Sequence, residues 1–505
     1  MEDYKIERID IKEALVQENK FLKNRIKTLE SKMDVNYEEY YIYKNGIVDK
    51  FFPKKLAKLL INKYNLIYFA GENPYCYKNG VYKESKTVLN SISKYIDDYD
   101  SYSVKHTNDT RKEIIFNSLI NENKLNPKNI INFKNCLYDI NSRGTKPHTL
   151  DTYSTYQVKA NYKPSQIIKN TLFLKFLQNS NCSDKLIDLI RQVIGYCLTS
   201  FNEAQKMFIL RGKPKTGKST FLNIIRNLFE RQFATSINLE DLQKGEYLAL
   251  LAGKVINICG DIGQGYIKDT SKILQLLGDE HITVRPLYIN PYDISLTAKQ
   301  IFATNMIPIV NDKTGAFYRR CLVIPWNKQV KEKDTIVNLD KLIVNKEADI
   351  IVSWAADSIF DLKNNNFKFK EVKESIIELD EYRLENNSIE LFIKNYCIVD
   401  FENDKYFITV NEFKNYYKMF CEIENIIPQG YRHLKDFIKN SLGLKDDKQT
   451  KYCKSRHYKF IAWNNNITEL KIEKQKDLNF NSNANIESYI DNYEELEREG
   501  IENES

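Results

Sequence analysis

A short run of glycines and lysines carries the clearest chemistry in this sequence. The stretch RGKPKTGKST (residues 211–220) follows the apolar run MFIL and precedes FLNIIRNLFE. Gly212 to Ser219 fits the pattern GxxxxGK[ST], in which glycines let backbone amides turn toward phosphates, a lysine reaches the terminal phosphates, and a hydroxyl ligates magnesium. The order predicts a strand, a phosphate-binding loop and a helix. The nucleotide-binding residues predicted here are Gly212, Lys213, Pro214, Lys215, Thr216, Gly217, Lys218, Ser219 and Thr220.

Three later apolar segments each adjoin a polar side chain that suits the same chemistry. Asp261 ends GKVINICGD, Asn305 ends KQIFATN, and Arg319 and Arg320 precede CLVIPW. A carboxylate at this place can hold a metal-bound water against a γ-phosphate, an amide can orient the attacking water, and a guanidinium can act as an arginine finger. A lone Asp after a strand more often caps a turn, and adjacent arginines are usually solvated or paired.

Composition limits the class of protein. The chain has 505 residues, of which 42% are hydrophobic, so it can bury three or four cores of ordinary size. It contains no run of 18 apolar residues and starts with a charged segment, which predicts a cytoplasmic protein without a membrane partner. Its nine cysteines show no CxxC pair, which argues against a disulfide framework and a zinc ribbon.

Charge is unevenly distributed along the chain. Residues 481–505 hold eight acidic residues and one arginine, a net of −7, so residues 1–480 carry +14 against +7 for the whole chain. A basic body favours a polyanionic partner. Residues 470–505 are predicted to be an acidic, disordered tail.

The periodicity divides the chain further. Residues 1–34 are predicted to be helical, with Leu15, Leu22 and Leu29 seven apart and Asn19 at a core position, typical either of a short coiled coil or of a helix packed on its own domain. Residues 35–165 predict an α+β domain and residues 166–205 a helical collar. Residues 272–298 alternate like a hairpin with its tip near residues 288–291. The sequence shows no metal site for nucleotide polymerisation, so priming activity is not expected.

The ordered motifs resemble the superfamily 3 helicase core of the phage, plasmid and poxvirus primase-helicase family. The resemblance covers roughly residues 185–330 and rests on IDLIRQVIGYCLTS, ILRGKPKTGKSTF, GKVINICGDIG, AKQIFATN and YRRCLVIPW. It implies an AAA+ P-loop domain over residues 206–365 with a parallel central sheet, flanked by the α+β N-terminal domain and a C-terminal winged-helix domain. The fold class is thus α/β. The composition is similar to that of replication proteins from phages and satellite elements of low-GC bacteria.

The resemblance also implies roles for particular residues. Lys218 and Ser219 would bind ATP and Mg²⁺, Asp261 would be the acidic residue of the second motif, Asn305 the polar sensor, and Arg320, with Arg319 second, the finger. Many members carry two adjacent carboxylates in the second motif, whereas Gly260 precedes Asp261 here, so metal ligation and water polarisation both remain open for Asp261. Asp269 and Asp279 are the reserve candidates.

A finger that acts on a neighbour's nucleotide implies a homo-hexameric ring with DNA in its channel. In the family the hairpin lines this channel, so Lys272, Arg285 and Lys299 are predicted to contact phosphates; an exposed, charged hairpin is the alternative. Residues 385–465 resemble a winged helix, which consists of three helices and a basic two-stranded wing. Its recognition helix is predicted over residues 431–442. Its predicted DNA contacts are Arg432, Lys435, Lys439, Lys451, Lys454 and Arg456.

The expected function is an ATP-dependent replicative DNA helicase of a mobile genetic element, with 3′ to 5′ polarity implied by the resemblance and origin recognition by the winged helix as a further role. A host replication protein is a candidate partner. Two alternatives stay open: a DNA-binding initiator or clamp with little ATP turnover, and a P-loop small-molecule kinase. ATP hydrolysis measured with and without single-stranded DNA separates the three.

Overall fold

The computed structural model describes residues 36–468, except 46, 70, 72, 98–99, 261, 264–265, 279–280, 287–289, 306–307, 311, 313–314, 332–334, 404, 424–427, 429–433, 435–436, 442–443, 445 and 448–454. The predicted N-terminal zipper and acidic tail therefore lie outside the described residues. The chain divides into two compact units, residues 1–376 and 377–505. Among the described residues, no helix is long and apolar enough to cross a membrane.

A five-stranded, fully parallel sheet forms the centre of the first unit. The strand before the glycine-rich loop lies in the interior of the sheet. Four of its five residues are buried, as expected for a strand that is covered on both faces. The five strands are β9 (Met207–Arg211), β10 (Ala234–Thr235), β11 (Ile256–Gly260), β15 (Lys299–Thr304) and β17 (Cys321–Pro325). Their order in the sheet is β10-β11-β15-β9-β17, so β9 lies between β15 and β17.

Helices pack around this sheet and share one hydrophobic core with it. They are α4 (Leu172–Asn179), α5 (Asp184–Cys197), α6 (Lys218–Asn227), α10 (Leu339–Ala356) and α11 (Ser358–Asn364). The first two lie within residues 166–205, where helices were predicted; α5 presents an apolar stripe from Leu186 to Cys197 and is capped by the Ser183 hydroxyl. The sheet and its helices form a mixed α/β fold of the P-loop type.

The same core extends toward the N-terminus. A three-stranded antiparallel sheet of β6 (Ile130–Asn132), β7 (Leu137–Asp139) and β8 (Gly144–Lys146) contributes Ile131, Phe133 and Tyr138 to the core of the parallel sheet. Residues 131–162, predicted to belong to the N-terminal domain, thus share a core with the P-loop fold.

A separate core lies between residues 40 and 114. Its elements are β1 (Tyr41–Lys44), β2 (Ile47–Phe51), α1 (Pro53–Tyr64), β3 (Leu66–Ile67), β4 (Tyr75–Lys78), β5 (Val81–Glu84), α2 (Lys86–Asn90) and α3 (Ser103–Asn117). The segment thus contains both short strands and helices.

Small elements connect the strands of the parallel sheet. They are α7 (Gly245–Ala249), β12 (Tyr266–Ile267), α8 (Ser271–Leu277), β13 (His281–Val284), β14 (Tyr292–Ser295), β16 (Ile309–Val310) and α9 (Ala316–Arg320). β13 and β14 pair antiparallel, with His281 opposite Ser295 and Val284 opposite Tyr292, which confirms the predicted hairpin.

The second unit builds its core from two helices and two small sheets. The helix α12 (Lys373–Asn386) contains the boundary between the units. Within the unit lie α13 (Ser388–Tyr396), β18 (Cys397–Val399), β19 (Phe407–Thr409), α14 (Val410–Ile423), a five-residue π-helix (Phe437–Ser441), β20 (Asp446–Asp447), β21 (His457–Lys459) and β22 (Ile461–Trp463). β21 pairs with both β19 and β20, and β22 pairs with β18. Helices α13 and α14 lie where the first two helices of this segment were predicted.

Candidate functional site

The glycine-rich loop joins β9 to α6 as predicted. Gly217 has φ +93°, a left-handed conformation that suits glycine, and a Cβ there would meet the Phe176 ring at 3.0 Å. A Cβ on Gly212 would lie 2.0 Å from the Trp326 carbonyl oxygen. Close approach of the backbone therefore requires glycine at position 212, and the left-handed conformation favours glycine at position 217.

The ammonium group of Lys218 lies inside the loop. This side chain is 8% exposed, and Nζ donates to the carbonyl oxygens of Gly212 (2.6 Å) and Lys213 (2.7 Å). It also donates to Oδ1 of Asn305 at 2.9 Å. The structure thus brings together the two side chains that were predicted to act on the γ-phosphate.

Strand register explains why Asn305 reaches this position. Thr304 is paired with Arg211, so the residue after β15 lies beside the residue after β9. The Gly212 N–H donates to the Thr304 carbonyl oxygen at 3.2 Å, which fixes the loop against the end of β15. Carboxyl ends of neighbouring parallel strands meet at one edge of a sheet, where α/β proteins bind ligands.

The residues of the loop fit a magnesium-bound triphosphate. Helix α6 starts at Lys218 with no side-chain cap, so its first amides and its dipole are available to an anion. Ser219 is exposed, with no hydrogen bond among the described residues, as a metal ligand requires. No cluster of three or more His, Cys, Asp or Glu side chains suits a metal in the part of the chain that the structure describes.

A tryptophan after β17 holds the loop from outside. The indole N–H of Trp326 donates to the Thr216 carbonyl oxygen at 2.8 Å, and its backbone N–H donates to the Arg211 carbonyl oxygen at 2.6 Å. Trp326 is fully buried and contacts the rings of Phe176 and Phe221, with centroids 6.0 and 5.1 Å away. The loop is therefore braced by the strand next to β9.

The next residues extend this brace along the loop. The Val330 N–H donates to the Lys215 carbonyl oxygen at 2.9 Å, and the Gln329 amide donates to the Pro214 carbonyl oxygen at 3.3 Å. Sequence reasoning missed this role for residues 326–330. A polar indole directly after an apolar strand was the available signal, since a buried Trp N–H needs an acceptor.

Asp261 lies outside the described residues, and so does Asp279. The two neighbours of Asp261 both lie along β15: Gly260 is paired with Ala303, and the Ile262 N–H donates to the Ala303 carbonyl oxygen at 3.3 Å. Asp269, the other reserve candidate, accepts hydrogen bonds from the backbone and hydroxyl of Ser271. Ser271 is the first residue of α8, and these bonds hold the pKa of the Asp269 carboxyl below the ordinary value.

Arg319 and Arg320 lie at the opposite end of the sheet from the loop. They end α9 and directly precede Cys321, which is paired with Met207, whereas the loop follows Arg211. At about 3.3 Å per residue, six residues separate the level of Arg320 from Gly212 by about 20 Å. An arginine side chain cannot span this distance, so neither arginine reaches the loop of its own subunit.

The arginine end of the sheet carries a third cation, which sequence reasoning did not single out. Lys206 Nζ donates to the Arg319 carbonyl oxygen, and burial together with the Arg320 guanidinium lowers the pKa of the Lys206 ammonium. Among the described residues, the buried Nε–H of Arg320 has no hydrogen-bond partner, and Nη1 makes a long bond of 3.4 Å to the Ala316 carbonyl oxygen. Most buried donors in folded proteins have an acceptor, so this N–H is available to a water molecule or to a group of another chain.

The predicted DNA contacts of the first unit fall into two groups. Arg285 is exposed at the start of the hairpin tip, and Lys272 is half-buried on α8; both approach Gly245. The predicted phosphate contact of Lys299 is wrong, because this side chain is only 2% exposed at the start of β15. Its ammonium donates to the Thr297 carbonyl oxygen at 2.7 Å and lies 5.1 Å from the centroid of the Tyr196 ring, so it is not available to phosphates.

The second unit presents two of its six predicted cations among the described residues. Lys439 is exposed on the π-helix, and Arg456 is exposed directly before β21. The other four lie outside the described residues: Arg432, Lys435, Lys451 and Lys454. His457 is fully buried and pairs through Nδ1 with the Ser455 carbonyl oxygen at 2.8 Å, a structural role.

Comparisons with known proteins match one family model and a set of solved structures. Residues 210–320 match a family of unknown function, DUF5906. The chain is similar to solved structures described as the A form apo structure of the NrS-1 C-terminal region (13% identity, 82% of this chain and 100% of that chain, TM-score 0.49) and the apo structure of NrS-1 residues 305–718 (14%, 81% and 99%, TM-score 0.46). TM-scores below 0.5 assign neither a fold nor an activity. No curated protein matches the chain.

Proposed function

We propose that this protein is an ATP hydrolase that drives movement along DNA in the replication of a phage or mobile element, working as a closed ring of identical subunits. The sheet with the P-loop strand between the Asn305 strand and the arginine strand supports an AAA+ domain of the superfamily 3 kind. The strand arrangement of the second unit, in which β21 lies between β19 and β20, supports a winged helix.

One observation carries the proposal. Lys218 and Asn305 meet at one end of the parallel sheet, while Arg319 and Arg320 lie at the other end, about 20 Å away along β17. If Arg319 or Arg320 completes a nucleotide site, that site must then belong to a neighbouring copy of the chain. Repetition of such a head-to-tail contact closes a ring when its rotation allows.

The residues of the chain divide the work as follows. Lys218, which donates to loop carbonyl oxygens, would exchange these acceptors for phosphate oxygens, and Asn305 would orient the attacking water. Ser219 and Asp261 would hold Mg²⁺, which neutralises charge on the phosphates. Arg320 of a neighbouring subunit would stabilise the charge that develops during phosphoryl transfer. Its buried, unsatisfied Nε–H supports this assignment over that of the exposed Arg319.

DNA binding rests on charge and exposure. Residues 1–480 carry +14, and the hairpin tip presents Arg285 next to Lys272. In the second unit the exposed Lys439 and Arg456 are candidates for phosphate contacts beside a duplex groove. The polarity, 3′ to 5′, and a host replication partner remain proposals from the sequence resemblance.

Mixed-subunit hydrolysis tests the proposal. Lys218→Ala and Arg320→Ala should each abolish most ATP turnover, and removal of the finger alone should cost on the order of a thousandfold. Mixing the two variants should restore part of the activity, because some interfaces then combine an intact loop with an intact arginine. Full turnover by a monomer, or a mixture no more active than its components, contradicts the ring. Turnover that ignores single-stranded DNA contradicts the DNA motor.

A further inference from the structure

A basic cavity lies on the first unit, away from the nucleotide loop. Its volume is about 520 Å³, within the range of ligand sites. Four exposed lysines line it: Lys134, Lys159, Lys341 and Lys346. Asn227 and Asn345 add amide groups. No function assigned above uses any of these side chains.

Three separate segments of the chain bring the lysines together. Lys341 and Lys346 belong to the first turns of α10, while Lys134 lies between β6 and β7. The Lys134 N–H donates to the Ala160 carbonyl oxygen at 3.0 Å, and the Lys159 N–H donates to the Leu228 carbonyl oxygen at 2.7 Å. These backbone bonds fix both loops against the end of α6, so the cavity is built on rigid elements.

The positive charge of the cavity is not compensated within it. None of the four lysines forms an ion pair with any residue that the structure describes. The one carboxylate in the lining, Asp349, is already engaged outside, since it accepts from the Asn161 N–H at 2.9 Å and from Lys163 Nζ at 3.1 Å. Several ammonium groups that line one cavity without ion-pair partners attract an anion.

The cavity is distinct from the nucleotide site. Asn227 is the last residue of α6, whose first residue is Lys218. At 1.5 Å per residue the two ends of this helix are about 14 Å apart. The lining also contains no aromatic side chain on which a base could stack, and lysine binds phosphate as a point charge. The chemistry therefore suits a sugar-phosphate backbone and not a base.

We propose that this lysine cavity, defined by Lys134, Lys159, Lys341 and Lys346, is a second DNA-backbone site that holds consecutive phosphates independently of sequence. The proposal rests on the proposed function in taking DNA as the partner. It adds a contact on the outside of the P-loop fold, at the end of α6 remote from the loop.

Salt-dependent binding of labelled single-stranded and duplex DNA to the full chain tests the site. The variant with all four lysines changed to glutamine should lose about two phosphate contacts. For single strands, the slope of log K against the logarithm of the salt concentration then becomes shallower by about 1.4, and the affinity for DNA at about 0.1 M salt falls roughly 25-fold. The matched control removes four exposed lysines of α1 and α3, Lys54, Lys58, Lys105 and Lys112, and should keep the wild-type slope. Changing the four cavity lysines to arginine should preserve binding.

Each failure has a separate signature. If wild-type protein binds no DNA, the proposed function fails; if it binds and the cavity variant has the same slope, only the cavity site fails. If the cavity and control variants lose the same amount of DNA affinity, the loss reflects the net charge of the protein, and this result also overturns the site. Inorganic triphosphate is tested on Lys218→Ala protein: binding that disappears with the cavity lysines, while DNA affinity is unchanged, identifies a small-anion site and overturns the DNA assignment.

Discussion

Replacing Trp326 by phenylalanine removes the donor that holds the glycine-rich loop and leaves most of the ring. The Thr216 carbonyl oxygen, on a residue that is 1% exposed, then loses its partner at 2.8 Å. An unsatisfied buried acceptor costs about 1–3 kcal/mol. If this cost falls on the binding-competent loop conformation, nucleotide affinity should drop between about 5- and 150-fold.

The assay is titration with a fluorescent ATP analogue, together with the shift in Tm on adding nucleotide, which reports the same affinity. Trp354→Phe is the matched control, because Trp354 is also buried in this unit but contacts Phe173 and Arg191 instead of the loop. Both variants lose ring volume and should be less stable. Only Trp326→Phe should bind nucleotide weakly; affinity within about twofold of wild type would refute the bracing role.

Three further changes test other contacts. Gly212→Ala should abolish nucleotide binding, measured by the same titration, because its Cβ would lie 2.0 Å from the Trp326 carbonyl oxygen. Glu347→Ala should lower the unfolding free energy by about 1–3 kcal/mol in urea, since its carboxylate accepts from two amides at the start of α4, at 2.7 and 2.9 Å. Asp100→Asn should also destabilise, because buried Asp100 accepts from the Tyr41 hydroxyl at 2.6 Å. Burial raises the pKa of Asp100, but its hydrogen bonds outweigh this and lower it, so its stabilisation is complete above the unfolded-state pKa and lost as pH falls through the folded one. In urea melts, the difference in unfolding free energy between Asp100→Asn and wild-type protein should therefore become smaller only at acidic pH.

Local order made the nucleotide loop predictable from sequence. The strand, the turn at Gly217 and the helix at Lys218 follow one another within about twenty residues, and each has its own residue signature. The hairpin of residues 281–295 was predictable for the same reason, since alternation and turn residues are short-range signals. The position of Asn305 followed from the rule that parallel strands end at one edge.

Contacts between distant residues were not predictable in this way. Thr216 and Trp326 are 110 residues apart, and their hydrogen bond depends on β17 lying next to β9. Lys299 was misassigned because every residue of β15 is buried, so no alternation distinguishes its inward from its outward positions. Its ammonium is satisfied by Thr297 and Tyr196, partners that only the folded chain brings together.

Strand β17 connects the two halves of the proposed catalytic arrangement. Arg320 directly precedes this five-residue strand, and Trp326, which braces the loop of the same subunit, directly follows it. The strand is hydrogen-bonded to β9 along its whole length, from Cys321 opposite Met207 to Pro325 opposite Arg211. A displacement of β17 is therefore transmitted to both ends, because a packed strand moves as one body. In the proposed ring, the loop that holds one nucleotide and the arginine offered to the next would be the two ends of one strand, which gives a direct structural route for coupling between adjacent sites.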